Sequence, residues 1–194
     1  MGTARPARAG DFRRLGELWE AAAAELATMR GGGLLLAKRG HPGWAGGPVR
    51  GDSTTQARGH ESLDSPESPE ATLGAQAESP QLIVVGELSG RVVGFASCRT
   101  VELEGSPVEG QRIGSIEDLY VEPAARGEGV GRAMATVLVQ WCVSRGCKGV
   151  DAPALPGSRI AKSFFEAEGF TARLLVMHHG LRPQEPEMQS GRQV

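Results

Sequence analysis

The stretch "IEDLYVEPAARGEGVGRAMATVLVQWC", residues 116–142, decides how this chain is organised. It opens as a buried-strand pattern, turns at Pro123, places glycine at 127, 129 and 131, and runs on as a helix. Val130, Met134, Val137, Leu138, Trp141 and Cys142 fall on one face of that helix. A helix N-terminus presents unpaired N–H groups and the positive end of its dipole. Glycine removes side chains that would block an anion from reaching them. Residues 126–132 therefore suit a pyrophosphate held by backbone amides, with Arg126 or Arg132 adding charge. A glycine-rich turn without a ligand is the competing account. Two familiar loops fail on spacing. The string G-x-x-x-x-G-K-[ST] is absent, and Arg132 stands where G-x-G-x-x-G requires its third glycine.

Working outward, Asp11 is placed to cap a helix in which Phe12, Leu15, Leu18, Ala22, Leu26 and Met29 recur every three or four residues. Residues 3–7 before it read as a short edge strand, and "RGGG" at 30–33 ends the helix. Residues 38–80 are rich in Gly, Pro, Ser and Glu without apolar period, the composition of a long disordered loop or lid. Residues 82–87 and 91–103 are β-branched runs joined by Ser89-Gly90, a β-hairpin, and residues 113–121 form a third strand. Gly146 closes the helix after the glycine loop. "KGVDAP" is a short strand, 158–168 a second helix closed by Gly169, and "FTARLLVMHH" a last strand. Residues 182–194 read as a polar tail. The sum is an α+β domain over residues 1–181, a mixed, mostly antiparallel sheet with helices on both faces.

Composition narrows the function. A chain of 194 residues with net charge −2 does not look like a general nucleic-acid binder. No apolar run approaches the roughly 20 residues of a membrane span, and "MGTARPARAG" lacks a signal-peptide core. Cys98, Cys142 and Cys147 have neither CxxC spacing nor an even count, which speaks against a disulfide framework or a zinc site and suggests a reducing cytoplasm.

The spacing R-x-x-G-x-G, here Arg126 to Gly131 after "LYVEP", resembles the acyl-CoA loop of the GNAT acetyltransferase superfamily. "SRIAKSFFEAEGF" resembles that superfamily's second signature, N-x-x-A-x-x-F-Y-E-x-x-G-F. The resemblance covers most of residues 3–181 outside the long loop. It implies a fold in which the strand before the loop splays from its neighbour. The backbone of Leu119 and Val121 would pair with the pantetheine arm of acetyl-CoA, and Gly127, Gly129, Gly131 and Arg132 would line the pyrophosphate. Ser158, Arg159 and Lys162 would lie within reach of the CoA arm or its phosphates. Glu117 matches a glutamate that acts as base in polyamine-type members, with Asp118 beside it.

Strand alternation places Glu117 on the side of Leu119 and Val121, and Asp118 opposite. The Val121 N–H is the expected donor to the thioester carbonyl. The sequence departs from the pattern at three points. Phe165 replaces the tyrosine that returns a proton to the leaving thiolate. Ser158 replaces the usual asparagine and also reads as an ordinary N-cap. After "GF" there is room for one strand only, so the final hairpin is expected to be shortened, merged or completed by a second subunit. His178 and His179 lie near its end. The expected activity is an N-acyltransferase moving acetyl from acetyl-CoA to an amine by direct attack, with no metal. A catalytically silent CoA-binding protein on the same fold is the alternative that Phe165 motivates.

Overall fold

The computed structural model describes residues 1–39, 80–102, 111–175 and 177. The segment expected as a disordered loop therefore lies outside the described residues except at its ends. So do His178, His179 and the tail.

The elements run β1 (Thr3–Pro6), α1 (Phe12–Ala27), α2 (Gly32–Arg39), β2 (Gln81–Leu88), β3 (Arg91–Glu102), β4 (Arg112–Val121), α3 (Val130–Ser144), β5 (Val150–Asp151) and α4 (Arg159–Ala167). The strands form one five-stranded sheet in sequence order, antiparallel except for the parallel pair β4–β5. A mixed sheet with helices on both faces is the architecture that the hydrophobic patterns imply.

Each face has its own core. On one, α1 buries Leu15, Leu18 and Ala22 against Val85 and Phe95. Two fully buried leucines contribute about 2 kcal/mol each, more than a sixteen-residue segment gains from helix propensity alone. On the other face, α3 packs Val130, Met134, Leu138 and Cys142 onto Val84, Val93, Ala96, Cys98, Ile116 and Val121. This helix sits close to the sheet because Gly86 and Gly114 lack side chains. A Cβ at Gly86 would run into Val130, and one at Gly114 into the Cys142 sulfur.

Local chemistry fixes the corners. Ser89 and Gly90 both take positive φ, 51° and 76°, closing the β2–β3 hairpin with two residues. Asp11 precedes α1 but does not cap it. Its carboxylate turns back instead. Oδ2 accepts from the Arg8 amide at 2.8 Å and from Arg5 Nη1 at 2.7 Å, and Arg5 Nε also reaches Glu87 of β2 at 2.9 Å. Asp11 thus ties β1, the turn at Ala9–Asp11 and β2 together. Burial alone would push its carboxyl up, but the Arg5 and Arg8 hydrogen bonds hold it below its ordinary value.

Two expectations need correction. α1 ends at Ala27 with Thr28 as its C-cap, before "RGGG" begins, and Gly32 and Gly33 of that run open α2, which folds back on α1. Gly31 takes φ 84°, and Gly32 lies against the Leu26 carbonyl where no Cβ fits. Secondly, Thr171–Leu175 forms no strand, and Leu174, Leu175 and Met177 are exposed. Among the described residues nothing pairs with this segment beyond Arg173 reaching Asp151 at 3.8 Å. With two residues, β5 offers too short an edge to hold a further strand.

Candidate active site

β4 and β5 pair only at Gly114↔Val150 and Ser115↔Asp151. Beyond Ser115 the outer edge of β4 is open. A cleft of about 480 Å³ lies along it, reaching from α1 and α2 to the glycine loop and α4.

Backbone geometry says which groups face that cleft. The Glu122 amide donates to the Val93 carbonyl on β3 at 2.9 Å. A trans peptide places the Val121 carbonyl on the opposite side, toward the open edge. Val121↔Gly94 is therefore a non-hydrogen-bonded pair, and the Val121 N–H points outward with its carbonyl. Leu119, two residues back and paired with Ala96, shares that orientation. These are the two backbone positions that the family resemblance singles out.

The glycine loop lines the same cleft through Gly127, Gly129 and Gly131. Gly127 and Gly129 take φ 86° and 81°, and Gly129 is the N-cap of α3. The first amides of α3 have no intrahelical acceptor, as at any helix start, and Gly127, Gly129, Gly131 and Arg132 all border the cleft. The loop thus presents a row of N–H groups at the start of a fifteen-residue helix, a ready seat for phosphate oxygens.

The candidate side chains divide. Arg132 Nε donates to Glu168 Oε1 at 2.8 Å, yet the guanidinium is 69% exposed and can turn to an anion at the loop. Arg126 is committed inward. Its Nε donates to the Val121 carbonyl at 3.0 Å, its Nη2 to Glu25 of α1 at 2.6 Å, and its guanidinium lies 5.8 Å from the centre of the Tyr120 ring. Burial, and next to it the Glu25 charge, push the Tyr120 hydroxyl up from its ordinary value. Ser158 caps α4, its hydroxyl accepting from the Ala161 amide at 3.3 Å. Arg159 and Lys162 lie outside the cleft lining, and Lys162 pairs with Glu166 at 3.5 Å.

Glu117 and Asp118 both line the cleft. Their sides differ from simple alternation. Ser97 pairs with Asp118 but Cys98 pairs with Ile116, so Glu117 is the extra residue of a β-bulge. Ile116 consequently packs in the same core as Leu119 and Val121. Glu117 instead meets Arg99 Nε at 2.5 Å. Arg99 follows Cys98, whose thiol lies in the α3 core, so alternation sends Arg99 toward the α1 side. The expectation that Glu117 shares a side with Leu119 is thereby corrected: the bulge turns both carboxylates toward α1. Asp118 Oδ2 accepts from the buried Ser97 hydroxyl at 2.8 Å.

Phe165, at the second-signature aromatic position, is 9% exposed, with its ring centre 5.2 Å from those of Phe164 and Phe170. It lines the cleft and has no proton to give. Glu25, Met29, Leu35 and Leu155 complete the wall and were not evident as site residues from the sequence. Glu25 lies one turn beyond Ala22 at the edge of the apolar stripe of α1, the only hint that the sequence holds. Among the described residues no cluster of metal-ligating side chains occurs, and no helix is long and apolar enough to cross a membrane.

Comparison with known proteins agrees with this geometry. Residues 52–170 match the family model described as "Acetyltransferase (GNAT) family". A glucosamine 6-phosphate N-acetyltransferase of Trypanosoma brucei brucei is 36% identical over 85 residues, 43% of this chain and 54% of that protein. An aminoglycoside N(6')-acetyltransferase type 1 of Stenotrophomonas maltophilia is 30% identical over 96 residues, 48% of this chain and 63% of that protein. The chain thus spans about half the length of these curated relatives. Among solved structures, AAC(6')-Iy in complex with a CoA bisubstrate analogue superposes with TM-score 0.58 at 16% identity, covering 94% of this chain and 99% of that one. The glucosamine-6-phosphate N-acetyltransferase of Arabidopsis thaliana gives 0.53 at 18% identity, covering 94% and 99%. At such identities the likeness concerns the fold.

Proposed function

The chain belongs to the GNAT acetyltransferase family, and from that premise we propose that it transfers an acetyl group from acetyl-CoA to a primary amine, by direct attack within a ternary complex. The observation that carries this reading is the meeting of two features in one cleft: the open edge of β4 and the amide-lined start of α3. The first suits an amide-bearing pantetheine arm, the second a diphosphate. Relatives named as N-acetyltransferases support the same reaction class.

In this reaction the acceptor nitrogen attacks the thioester carbon. The C–N bond forms, the C–S bond breaks, and the thiolate of CoA departs. The Val121 N–H is placed to stabilise charge developing on the carbonyl oxygen. Glu117, directly or through water, takes the proton lost by the amine, with Asp118 beside it holding a cationic acceptor. With Phe165 in the aromatic position, the thiolate takes its proton from water. A thiol of pKa near 8.5 leaves tolerably without an acid. Polyamine-like and amino-sugar molecules, amino acids and protein amines all fit two carboxylates beside an apolar wall.

Calorimetric titration with acetyl-CoA, followed by thiol release with a panel of amines, tests the reading. Saturable binding at roughly micromolar Kd, about −8 kcal/mol, with amine-dependent thiol release lost in Glu117→Gln, is the expected result. Binding without turnover on any amine favours the catalytically silent reading that Phe165 motivates. No binding at near-millimolar ligand removes both.

A further inference from the structure

The sequence makes Arg126 a phosphate ligand, but its side chain does something else. It spans three groups that belong to different parts of the fold: the Val121 carbonyl at 3.0 Å, Glu25 of α1 at 2.6 Å and the face of the Tyr120 ring at 5.8 Å. Val121 sits where its N–H and carbonyl both face the open edge. The two groups have opposite sense. The N–H attracts the oxygen of an acyl group, whereas the carbonyl repels it. Left uncovered, the carbonyl would also accept a hydrogen bond from whatever amide or water entered the cleft.

We propose that Arg126 and Glu25 form a positioning pair for acyl transfer. Arg126 covers the outward carbonyl of Val121, so that this residue offers the acyl group its N–H alone, and Glu25 fixes the guanidinium in that pose. The inference rests on the acetyl-CoA reading above, and assigns within it a role to two residues that touch neither reacting centre. The side chains suit the task. A guanidinium is a planar fork whose separate N–H groups bind two acceptors at once in fixed geometry, which an ammonium on a flexible stem does not reproduce. Both partners are 32% exposed, sheltered enough for a hydrogen-bonded pair to keep its geometry. The pair also carries information. Glu25 lies on α1, which lines one end of the cleft, so a displacement of α1 reaches the Val121 carbonyl through a single side chain.

The test uses the full chain, acetyl-CoA isotope-labelled at the thioester carbonyl, and infrared difference spectra of the bound ligand. In the parent protein the carbonyl band lies below that of free acetyl-CoA, because a fixed N–H polarises the bond. Glu25→Gln, which keeps shape and removes charge, and Arg126→Lys, which removes the fork, return the band toward its free position. Their acetyl-CoA Kd changes less than about threefold, while kcat for thiol release falls roughly tenfold, the sense expected when an oxyanion donor loses its alignment. Circular dichroism of both variants separates this from misfolding, and two independent substitutions guard against failure of either. An unshifted band in both well-folded variants overturns the proposal. Tighter acetyl-CoA binding by Glu25→Gln with an unshifted band also overturns it, and assigns the released Arg126 to the diphosphate. Absence of acetyl-CoA binding by the parent protein overturns the functional reading and this inference with it.

Discussion

Phe165 marks the residue at which this chain departs most from the chemistry its family resemblance implies. Its ring is packed between Phe164 and Phe170 and forms part of the cleft wall. A hydroxyl added to that ring needs little new space if it emerges on the cleft side. Proton delivery by a positioned side chain commonly contributes a hundredfold or more when it is limiting. Phe165→Tyr is therefore expected to raise kcat for thiol release by about tenfold or more at neutral pH, with little change in the KM for acetyl-CoA. Unchanged turnover would show that another step limits the reaction, and a fall in stability without a gain would show that the ring position is purely structural.

Ser158 raises the same question of role at the level of an element. Its hydroxyl accepts from the Ala161 amide, so α4 has a capped start. Loss of such a cap costs about 1 kcal/mol, and asparagine caps as well as serine. Ser158→Ala is expected to lower Tm by a few degrees, whereas Ser158→Asn leaves Tm unchanged. If Ser158→Asn also tightens acetyl-CoA binding in calorimetry, the position serves the ligand as well as the helix. Asp11 is a second corner with a measurable signature. Its carboxyl is held below the ordinary 3.8, so it contributes stability that is present above that value and lost as pH falls through its folded value. Asp11→Asn should lower Tm at pH 7, and the gap from the parent should close as pH drops below about 4. A gap that stays constant with pH would mean that packing, not charge, holds the β1–α1 corner.

These elements also show what could be read in advance. The β2–β3 hairpin, β4, the glycine loop, α3 and α4 announce themselves through β-branched runs, Ser89-Gly90, and apolar residues at helical spacing, all of which are local signals. What escaped was not local. The bulge at Glu117 exists only in the register between β3 and β4, so simple alternation assigned its side wrongly. Glu25 and Arg126 are 101 residues apart in sequence, and their pairing arises only when α1 docks on the sheet. The helix α2 hides behind two adjacent glycines, Gly32 and Gly33, that propensity counts against it. The described part of the expected last strand fails for the opposite reason. Its β-like composition is clear, but the two-residue β5 gives it almost nothing to pair with.

At the scale of the whole molecule, the cleft separates elements that otherwise touch sparingly. α1 and α2 approach from one sheet face, α3 and α4 from the other, and β4 and β5 part between them after two paired positions. Two ion pairs bind α1 to the chain segment after β4, Arg14 to Glu122 at 2.6 Å and Glu25 to Arg126 at 2.6 Å, while Glu168, at the C-cap of α4, reaches Arg132 in the first turn of α3. A ligand laid along the open edge and into the loop would contact both sides at once, and binding to the folded state alone must stabilise the whole. At a concentration one hundred times Kd the gain is about 2.7 kcal/mol. For a domain of this size each kcal/mol moves Tm by about 2–4 °C, so saturating acetyl-CoA should raise Tm by roughly 5–11 °C. Gly129→Glu places a negative side chain at a backbone φ of 81°, in the space where the diphosphate would lie. That variant should fold with a slightly lower Tm of its own and show no ligand-induced shift in differential scanning fluorimetry. A shift equal to that of the parent would move the phosphate seat away from the start of α3, and with it the reason for glycine at 127 and 129.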